Sequence, residues 1–390
     1  MEIAEASSNM GSSSSAAAAA PAVVVVYLHD TICMKDKELW YRVELPVTTN
    51  GNKLLLLSKR KRLTPLNIYP VAEMYMPSYG YAGNWDVIGD DIYWIGGFYR
   101  SLRNYGPLSL RKHLYKHNMN HSDPTSWKEV SSSMNIRRIS PFVAAVGVGE
   151  KKQQLCVVSG SAYQSQSQND TYDSSIWKQC GEIYDIKKKT WKLIDVDYKD
   201  VSRYNTENQI AQDVDNPTEI VFYSLGRGSM VVLDVAKGCI SKGPICPAEF
   251  DLWMQSLPPK GLVDRADVTM LQLVTSNVGA VLADGTFYWC THVHFRLYGY
   301  DTKRERWLRS PSLKNHLPPI VFDNERPQYP LLLGLGNGKF VLVVAVDPGY
   351  CTMALLTVDK RENSLAVSVD RLQDVYFDDH DFLPNEGKAM

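Results

Sequence analysis

The chain has 390 residues, a formal net charge of −1, and hydrophobic and aromatic fractions of 44% and 11%. This near-neutral balance lacks the basic excess typical of nucleic-acid-binding proteins, so we expect no nucleic-acid partner. No run reaches the roughly 18 apolar residues of a transmembrane helix, and we expect no membrane partner. The seven cysteines form no CxxC pair and lie mostly in apolar segments, which favours reduced thiols in the cytoplasm.

Residues 1–22 are rich in Ser and Ala, a composition that predicts a disordered amino terminus. They contain Glu2 and Glu5 and no basic region, which argues against a secretory signal peptide. Further on, four consecutive basic residues run from Lys59 to Arg62. This run has the composition of a nuclear-import signal or of a solvated turn, so the cytoplasmic protein could also enter the nucleus.

From residue 23 onwards the chain reads as short alternating strands separated by turns, with almost no helical periodicity. The Asp-Gly pair at 284–285 and the Asn-Gly pair at 337–338 are strong hairpin signals. Six groups of strands follow one another in the sequence. They are 23–28 with 39–45; 85–88, 92–95, 113–115 and 127–130; 142–148, 155–159 and 181–194; 220–223 and 230–234; 278–283, 287–290, 297–301 and 307; and 331–335, 340–346, 355–359 and 365–369.

An aspartate followed six positions later by a large apolar residue recurs in four of these groups. The pairs are Asp185 with Trp191, Asp234 with Ile240, Asp301 with Trp307, and Asp359 with Leu365. An aspartate at a strand end can accept hydrogen bonds from the amides of the following turn, and the apolar residue can pack on the next sheet. The recurrence predicts an all-β repeat protein, a β-propeller of six four-stranded blades at 23–370 followed by a tail at 371–390.

These residues resemble the kelch-repeat β-propellers, of the kind common in plants. The resemblance covers roughly residues 23–370 and is carried by three features: a strand that ends in Gly96-Gly97, the pairs Tyr184-Asp185 and Tyr300-Asp301, and Trp191 with Trp307. Only one blade keeps the double glycine. Many kelch proteins carry an F-box or BTB domain, for which the 22 residues before the first strand are too short. The resemblance therefore implies a monomeric propeller that binds proteins, without a ubiquitin-ligase role.

In a four-stranded blade, the 2–3 and 4–1 connections emerge on one face of the ring, and this chain has its longest insertions there. Aromatic residues and arginines on such insertions have the composition of protein-interaction hot spots. The alternative is that these are tolerated insertions whose aromatics fold back as covers. We expect the partner protein to contact six residues: Tyr99, Arg100, Arg103, Tyr105, Trp177 and His292.

Enzymatic function is the competing class, because kelch-like propellers also occur in galactose oxidase, a copper enzyme. The candidate metal ligands are His292 and His294, which alternate onto one side of an extended segment, and the series His113, His117 and His121. No local motif for a copper site, a phosphate loop or a hydrolase nucleophile is present. We therefore expect a protein without enzymatic activity or cofactor, with a metal-binding or small-ligand propeller as the alternative.

Overall fold

A computed structural model describes residues 22–32, 36–47, 63–75, 81–99, 109–110, 112–138, 141–147, 154–158, 181–194, 210–224, 229–242, 280–291, 295–317, 330–379 and 386–389. Within these ranges the chain is almost entirely β-structure, and the helical segment they contain is the short 3-10 turn Lys314–His316. The strands form six sheets. The described part of the chain is therefore all-β, as the alternation predicts.

Apart from β3, β7 and β26, the strands of each sheet form an antiparallel meander in which strands that follow one another in sequence are neighbours. Blade 1 contains β1 (Ala22–Ile32), β2 (Lys37–Val47) and β4 (Pro70–Tyr75), while β3 (Leu66–Ile68) joins another blade. Blade 2 contains β5 (Tyr81–Ile88), β6 (Asp91–Tyr99), β8 (Leu114–Asn118) and β9 (Lys128–Glu129), with β7 (Ser109–Leu110) paired to β6. Blade 3 contains β10 (Phe142–Val146), β11 (Gln154–Val158), β12 (Gly181–Asp185) and β13 (Thr190–Ile194).

The second half of the ring repeats this pattern. Blade 4 contains β14 (Ile210–Gln212), β15 (Glu219–Ser224), β16 (Ser229–Asp234) and β17 (Cys239–Lys242). Blade 5 contains β18 (Val281–Ala283), β19 (Thr286–Cys290), β20 (Leu297–Asp301) and β21 (Arg306–Arg309). Blade 6 contains β22 (Leu331–Gly336), β23 (Lys339–Asp347), β24 (Tyr350–Lys360) and β25 (Leu365–Phe377), with β3 added at its outer edge. The fold is a six-bladed β-propeller.

The two ends of the chain close the ring. The last strand, β26 (Glu386–Ala389), pairs with β1, so that Leu28 lies opposite Gly387 and blade 1 takes its innermost strand from the carboxyl terminus. In the other direction, β3 pairs in parallel with β25, with Ile68 opposite Phe377. The boundary expected at residue 370 falls inside β25, and the segment expected as a tail contains the closing strand.

Facing sheets bury apolar side chains between them, and between blades 1 and 2 these include several tryptophans. Trp40, Trp85 and Trp94 are at most 1% exposed, and the rings of Trp40 and Trp94 meet edge to face with centroids 5.7 Å apart. The Trp127 indole N–H donates to the Glu73 carbonyl over 2.8 Å. Because burying a large aromatic side chain stabilises a fold by about 3 kcal/mol, this cluster holds the two blades together.

The innermost strands are tied to one another by polar side chains. Asp86 Oδ2 accepts a hydrogen bond from the Ala145 amide over 2.7 Å and lies 3.7 Å from Lys388 Nζ, linking blades 2, 3 and 1. The Gln212 side chain donates to the Ala145 carbonyl over 2.8 Å, which adds blade 4. The charged and amide side chains of the inner strands thus fix the ring where the blades converge.

The hairpins between strands 3 and 4 confirm the role predicted for three aspartates. Asp185 and Asp234 each accept a turn amide over 2.9 Å, from Lys188 and Lys237 respectively. In blade 5, Asp301 accepts two amides, from Lys303 over 3.0 Å and from Arg304 over 3.1 Å. Each turn has four residues, and the last has a positive φ of 55°, 65° or 52° in blades 3, 4 and 5.

The expectation that Asp359 and Leu365 hold the same positions as the other three pairs is wrong by one residue. In blade 6 the residues that flank the four-residue turn are Lys360 and Leu365, and Asp359 lies opposite Ala366. Lys360 therefore occupies the position that aspartate holds in the other three hairpins. Its ammonium group extends to blade 5, where Nζ lies 2.5 Å from Asp284 Oδ2 and donates to Thr286 Oγ1 over 3.2 Å.

The double glycine of β6 meets a backbone requirement. Gly96 and Gly97 have φ values of 75° and 90°, a region that favours glycine. The Gly97 amide donates to the Arg138 carbonyl over 2.9 Å, and a Cβ atom on Gly96 would lie 2.8 Å from that same oxygen. The pair therefore lets the segment before blade 3 approach β6 closely.

Candidate functional site

Strand direction sorts the connections of the propeller into two faces. The 1–2 and 3–4 connections lie on one face, here called the turn face, and the 2–3 and 4–1 connections lie on the opposite, long-connection face. Contacts between turns support the assignment, because Asp215 accepts hydrogen bonds over 2.9 Å from the amides of Asp284 and Asn337, in the 1–2 turns of the next two blades. Lys360, before a 3–4 turn, also contacts Asp284.

The two faces differ in the length of their connections. On the turn face of blades 2 to 6 the connections between strands are two to nine residues long. The shortest are 89–90, 284–285 and 337–338, and the longest is 119–127. On the long-connection face four separations between strand ends are long (159–180, 195–209, 243–280 and 310–330), while the 2–3 connections at 225–228, 291–296 and 348–349 are short. Binding residues concentrate on long connections carried by a rigid scaffold, so the long-connection face is the candidate functional site.

One of the six predicted contact residues lies within the described part of the chain. Tyr99 is the last residue of β6, at the edge of the long-connection face, and its backbone pairs with Ser109 of β7. Five predicted contacts, Arg100, Arg103, Tyr105, Trp177 and His292, lie outside the described residues, as do His294 and the basic run 59–62. All six contacts, Tyr99 included, therefore stay predictions.

Two further aromatic residues of this face behave differently. Phe295, in the 2–3 connection of blade 5, is 3% exposed and packs in the core cluster shared with blade 6. Tyr350, at the start of β24, stacks on Tyr376 with ring centroids 4.6 Å apart and an interplanar angle of 16°. Thus one aromatic folds back as a cover, as the alternative expectation has it, and the other belongs to a partly exposed pair.

The tyrosine pair is held in place and presented to solvent. The Tyr350 hydroxyl donates to Asp374 Oδ1 over 3.1 Å, and Thr352 donates to the same oxygen over 2.8 Å. Tyr376 is 42% exposed, and Tyr69, which follows β3 at the same edge, is 72% exposed. The strands β24 and β25 have 11 and 13 residues, against 5 and 4 in β20 and β21. This difference gives blade 6 a longer outer hairpin than its neighbour.

The predicted histidine series does not converge. His113 Nδ1 lies 2.7 Å from Glu129 Oε1, while His121 Nδ1 lies 2.9 Å from Ser126 Oγ. His117 is fully buried, and its Nε2 lies 2.9 Å from the Val71 carbonyl; desolvation by burial lowers its pKa. In the described ranges no group of three or more His, Cys, Asp or Glu side chains is arranged to hold a metal ion.

Three basic residues on the turn face are paired within their own turns. Lys188 lies 3.5 Å from Asp185, Lys237 lies 2.6 Å from Asp234, and Arg304 lies 3.2 Å from Asp301. The backbone and side-chain hydrogen bonds from Lys188 and Lys237 lower the pKa of Asp185 and Asp234. These cations therefore act first on the aspartates of their own turns.

The similarity between this chain and known proteins is distant. No family model matches the chain, and no curated protein matches its sequence. Among solved structures, a chain in the crystal structure of a nidogen/laminin complex is 9% identical with a TM-score of 0.34, over 94% of this chain and 98% of that chain. The assignment of the propeller rests on the strand pairing above. Among the described residues no helix is long and apolar enough to cross a membrane.

Proposed function

We propose that the protein is a protein-interaction module, an adaptor or scaffold without enzymatic activity, that binds a partner protein through the long-connection face. The observation that carries the proposal is the stacked pair of Tyr350 and Tyr376 at this face. Tyrosine offers a large contact area and a polar tip with few rotatable bonds, and it is enriched in binding hot spots. An exposed tyrosine fixed by stacking is a typical anchor for a protein partner.

The geometry reduces the entropy that such an anchor loses on binding. Tyr376 already stacks on Tyr350, which is itself bonded to Asp374, so the two rings are ordered before a partner arrives. Ordering a mobile side chain at an interface costs about 0.5–1.5 kcal/mol, which a preordered ring avoids in part. The six contacts predicted from the sequence would extend this surface across blades 2, 3 and 5.

Further parts of the proposal rest on sequence features that the structure locates. We propose a divergent kelch propeller, supported by Gly96-Gly97 within β6 and by the Tyr184 and Asp185 pair at the end of β12. A monomeric state is proposed from the kelch resemblance. An intracellular location, cytoplasmic or also nuclear through residues 59–62, is supported by cysteine side chains that are buried in the core. They are Cys156, Cys290 and Cys351.

The test is a comparison of the two faces by site-specific photo-crosslinking. A benzophenone amino acid replaces Tyr376 on the long-connection face or, as the matched control, Lys237 on the turn face, whose side chain is 75% exposed. We expect one defined protein adduct from position 376 and none from position 237. The adduct should decrease when unlabelled protein competes, and should not decrease when the competitor carries Tyr376→Ser. Equal labelling from both positions, or labelling from 237 alone, would contradict the proposed face.

A further inference from the structure

The stacked tyrosines belong to a row of side chains that crosses four neighbouring strands of blade 6, here called the tyrosine row. Asp347 of β23 lies opposite Tyr350 of β24. Tyr376 of β25 lies between Tyr350 and Asn67 of β3, and Asp347, Tyr376 and Asn67 are exposed. Residues opposite one another in a sheet share a face, and strands are about 4.8 Å apart, so the row from Asp347 to Tyr376 spans roughly 10 Å.

The row lies on the face of blade 6 that points away from the core shared with blade 1. Val375 and Phe377, on either side of Tyr376, are buried in that core, and Ile68 packs against it. Since neighbouring residues of a strand alternate between its faces, the side chain of Tyr376 points away from this core. Tyr69, one residue after Ile68, is 72% exposed and adds a third tyrosine ring at the β3 side of the row.

A carboxylate flanks the tyrosine rings on each side. Asp347 lies at one end of the row, and Asp378 lies beside Tyr69 at the other, because the Asp378 amide donates to the Ile68 carbonyl over 3.2 Å. Asp378 Oδ1 accepts a hydrogen bond from the Tyr41 hydroxyl over 2.8 Å. In the part of the chain that the structure describes, these two carboxylates have no cationic partner. A cationic group of a binding partner would therefore complement the charge of the tyrosine row.

Among cationic side chains, arginine matches both features of the row. Its planar guanidinium group stacks on aromatic faces and donates to carboxylates through several N–H groups at once. The ammonium group of lysine is compact and strongly hydrated, so it would pair with the carboxylates and gain less from the rings. A neutral apolar segment would use the rings and leave the two carboxylates without a cation.

The length of the row fits two arginines of one extended segment. In a polyproline II conformation, residues three positions apart lie on the same side of the segment and about 9 Å apart. This distance is close to the span from Asp347 to Tyr376. One guanidinium group can then pair with Asp347 while the other stacks on the Tyr376 ring and faces Asp378.

We propose that the tyrosine row binds an arginine-bearing extended segment of the partner protein. The inference rests on the proposed function, since it names the chemistry of the partner at the long-connection face. Tyr376 and Tyr69 supply ring faces, and Asp347 and Asp378 supply the carboxylates.

Fluorescence anisotropy of the full-length chain tests the proposal. The probe is a fluorescein-labelled glycine octapeptide with arginine at its third and sixth positions. Comparison peptides carry lysine, which keeps the charge, or citrulline, which keeps the planar group without the charge. We expect the arginine peptide to bind about threefold or more tightly than the lysine peptide, and the citrulline peptide not to bind.

Variants of the chain locate the binding site. Tyr376→Ser should weaken binding of the arginine peptide by about threefold or more, whereas Tyr376→Phe keeps the ring and should bind as the wild type does. Asp347→Asn combined with Asp378→Asn should weaken binding by about tenfold or more, because two charge-assisted contacts are lost. As the matched control, Asp359→Asn combined with Glu362→Gln makes the same charge change at exposed residues next to the turn of blade 6 and should keep the affinity within about twofold.

Failure of this inference can be told apart from failure of the proposed function. A crosslinked adduct from position 376 without binding of the arginine peptide would keep the long-connection face and overturn the arginine-bearing segment, whereas absence of both would overturn the two together. Binding of the arginine peptide without an adduct would support the arginine site and contradict the proposed function.

Three further results would each overturn the inference. Equal affinity for the arginine and lysine peptides would mean simple charge attraction, and equal weakening by the two double variants would mean attraction by the whole surface. Tighter binding of an octaproline peptide would mean an apolar site. If Tyr376→Ser does not fold, as judged by circular dichroism, the comparison of the two double variants decides, because all four of their positions are exposed.

Discussion

Replacing Asp301 by alanine tests the role of the repeated aspartates in the hairpin turns. Asp301 is 1% exposed, and its Oδ1 accepts the amides of Lys303 and Arg304. Both amides belong to exposed turn residues, so water can replace the lost acceptor in part. The ion pair with Arg304 contributes little, because that side chain is 60% exposed. Loss of a carboxylate that caps turn amides should then lower the free energy of unfolding by about 1–2 kcal/mol.

Asp359 provides the matched control. It has the same spacing to an apolar residue in the sequence, but it is exposed and lies one position away from the turn-flanking site in blade 6. Asp359→Ala should change the free energy of unfolding by less than about 0.5 kcal/mol. Asp301→Asn keeps an oxygen acceptor, so its free energy of unfolding should lie between those of the two alanine variants.

The measurement is the melting temperature together with amide hydrogen exchange. A loss of about 1–2 kcal/mol lowers the melting temperature of a chain of this size by roughly 1–2.5 °C. In Asp301→Ala, exchange should accelerate at Lys303 and Arg304 before it does so elsewhere, because these amides lose their acceptor. Equal effects of Asp301→Ala and Asp359→Ala, or unchanged exchange at the two amides, would refute the assignment of the turn.

Three further predictions follow from the closure of the ring and from buried titratable groups. Deleting residues 386–390 removes β26 and exposes the edge of β1. Urea denaturation should show that the free energy of unfolding falls by about 3 kcal/mol or more, whereas Lys388→Ala should lower it by less. Burial raises the pKa of Tyr288 to about 12, above the unfolded value of about 10. The neutral Tyr288 side chain therefore contributes fully to stability below pH 10, and this contribution is lost as the pH rises towards 12. Over that interval the wild type should lose about 2–3 kcal/mol more than Tyr288→Phe, and parallel losses would contradict this. Desolvation lowers the pKa of His117, so the stability that this residue contributes is present above the unfolded pKa of about 6.5 and is lost as the pH falls through the folded pKa. Urea denaturation at pH 7 and pH 5 should show that the free energy of unfolding falls more in the wild type than in His117→Gln.

The repeated hairpins made the blade architecture predictable. The motif residues turn out to be direct cross-strand partners, since Tyr184 lies opposite Trp191 and Tyr300 lies opposite Trp307. Local turn chemistry and side-chain packing therefore coincide at the same residues, which is why their spacing carries information about the fold. Asp359 shows the limit of this method, because spacing alone does not reveal which residue flanks the turn.

The closing strand could not be predicted in the same way. Its sequence, Glu-Gly-Lys-Ala, has neither apolar alternation nor β-branched residues. It pairs because the edge of β1 is available in the closed ring, and that edge comes from the opposite end of the chain. The parallel pairing of β3 with β25 is likewise set by the tertiary structure, since it joins residues about 300 positions apart that no local pattern connects.

The exposed tyrosine pair depends on a one-residue shift in the register between β24 and β25. Counting outward from the four-residue turn of blade 6 would place Val375 opposite Tyr350. However, Leu356 pairs with Val369 and Leu355 pairs with Arg371, so that Asp370 is left as an extra residue and the register shifts by one.

This bulge decides which side chains reach the solvent. Beyond it Tyr376 lies opposite Tyr350, while Val375 turns into the core beside blade 1 with no exposure. Asp370 is held by Thr357, whose hydroxyl donates to it over 2.6 Å. Because side chains alternate between the faces of a strand, an unbulged β25 would bury Tyr376 and present Val375 instead. The best candidate anchor of the long-connection face is thus created by an irregularity near the middle of the longest strand, and neither composition nor periodicity reports it.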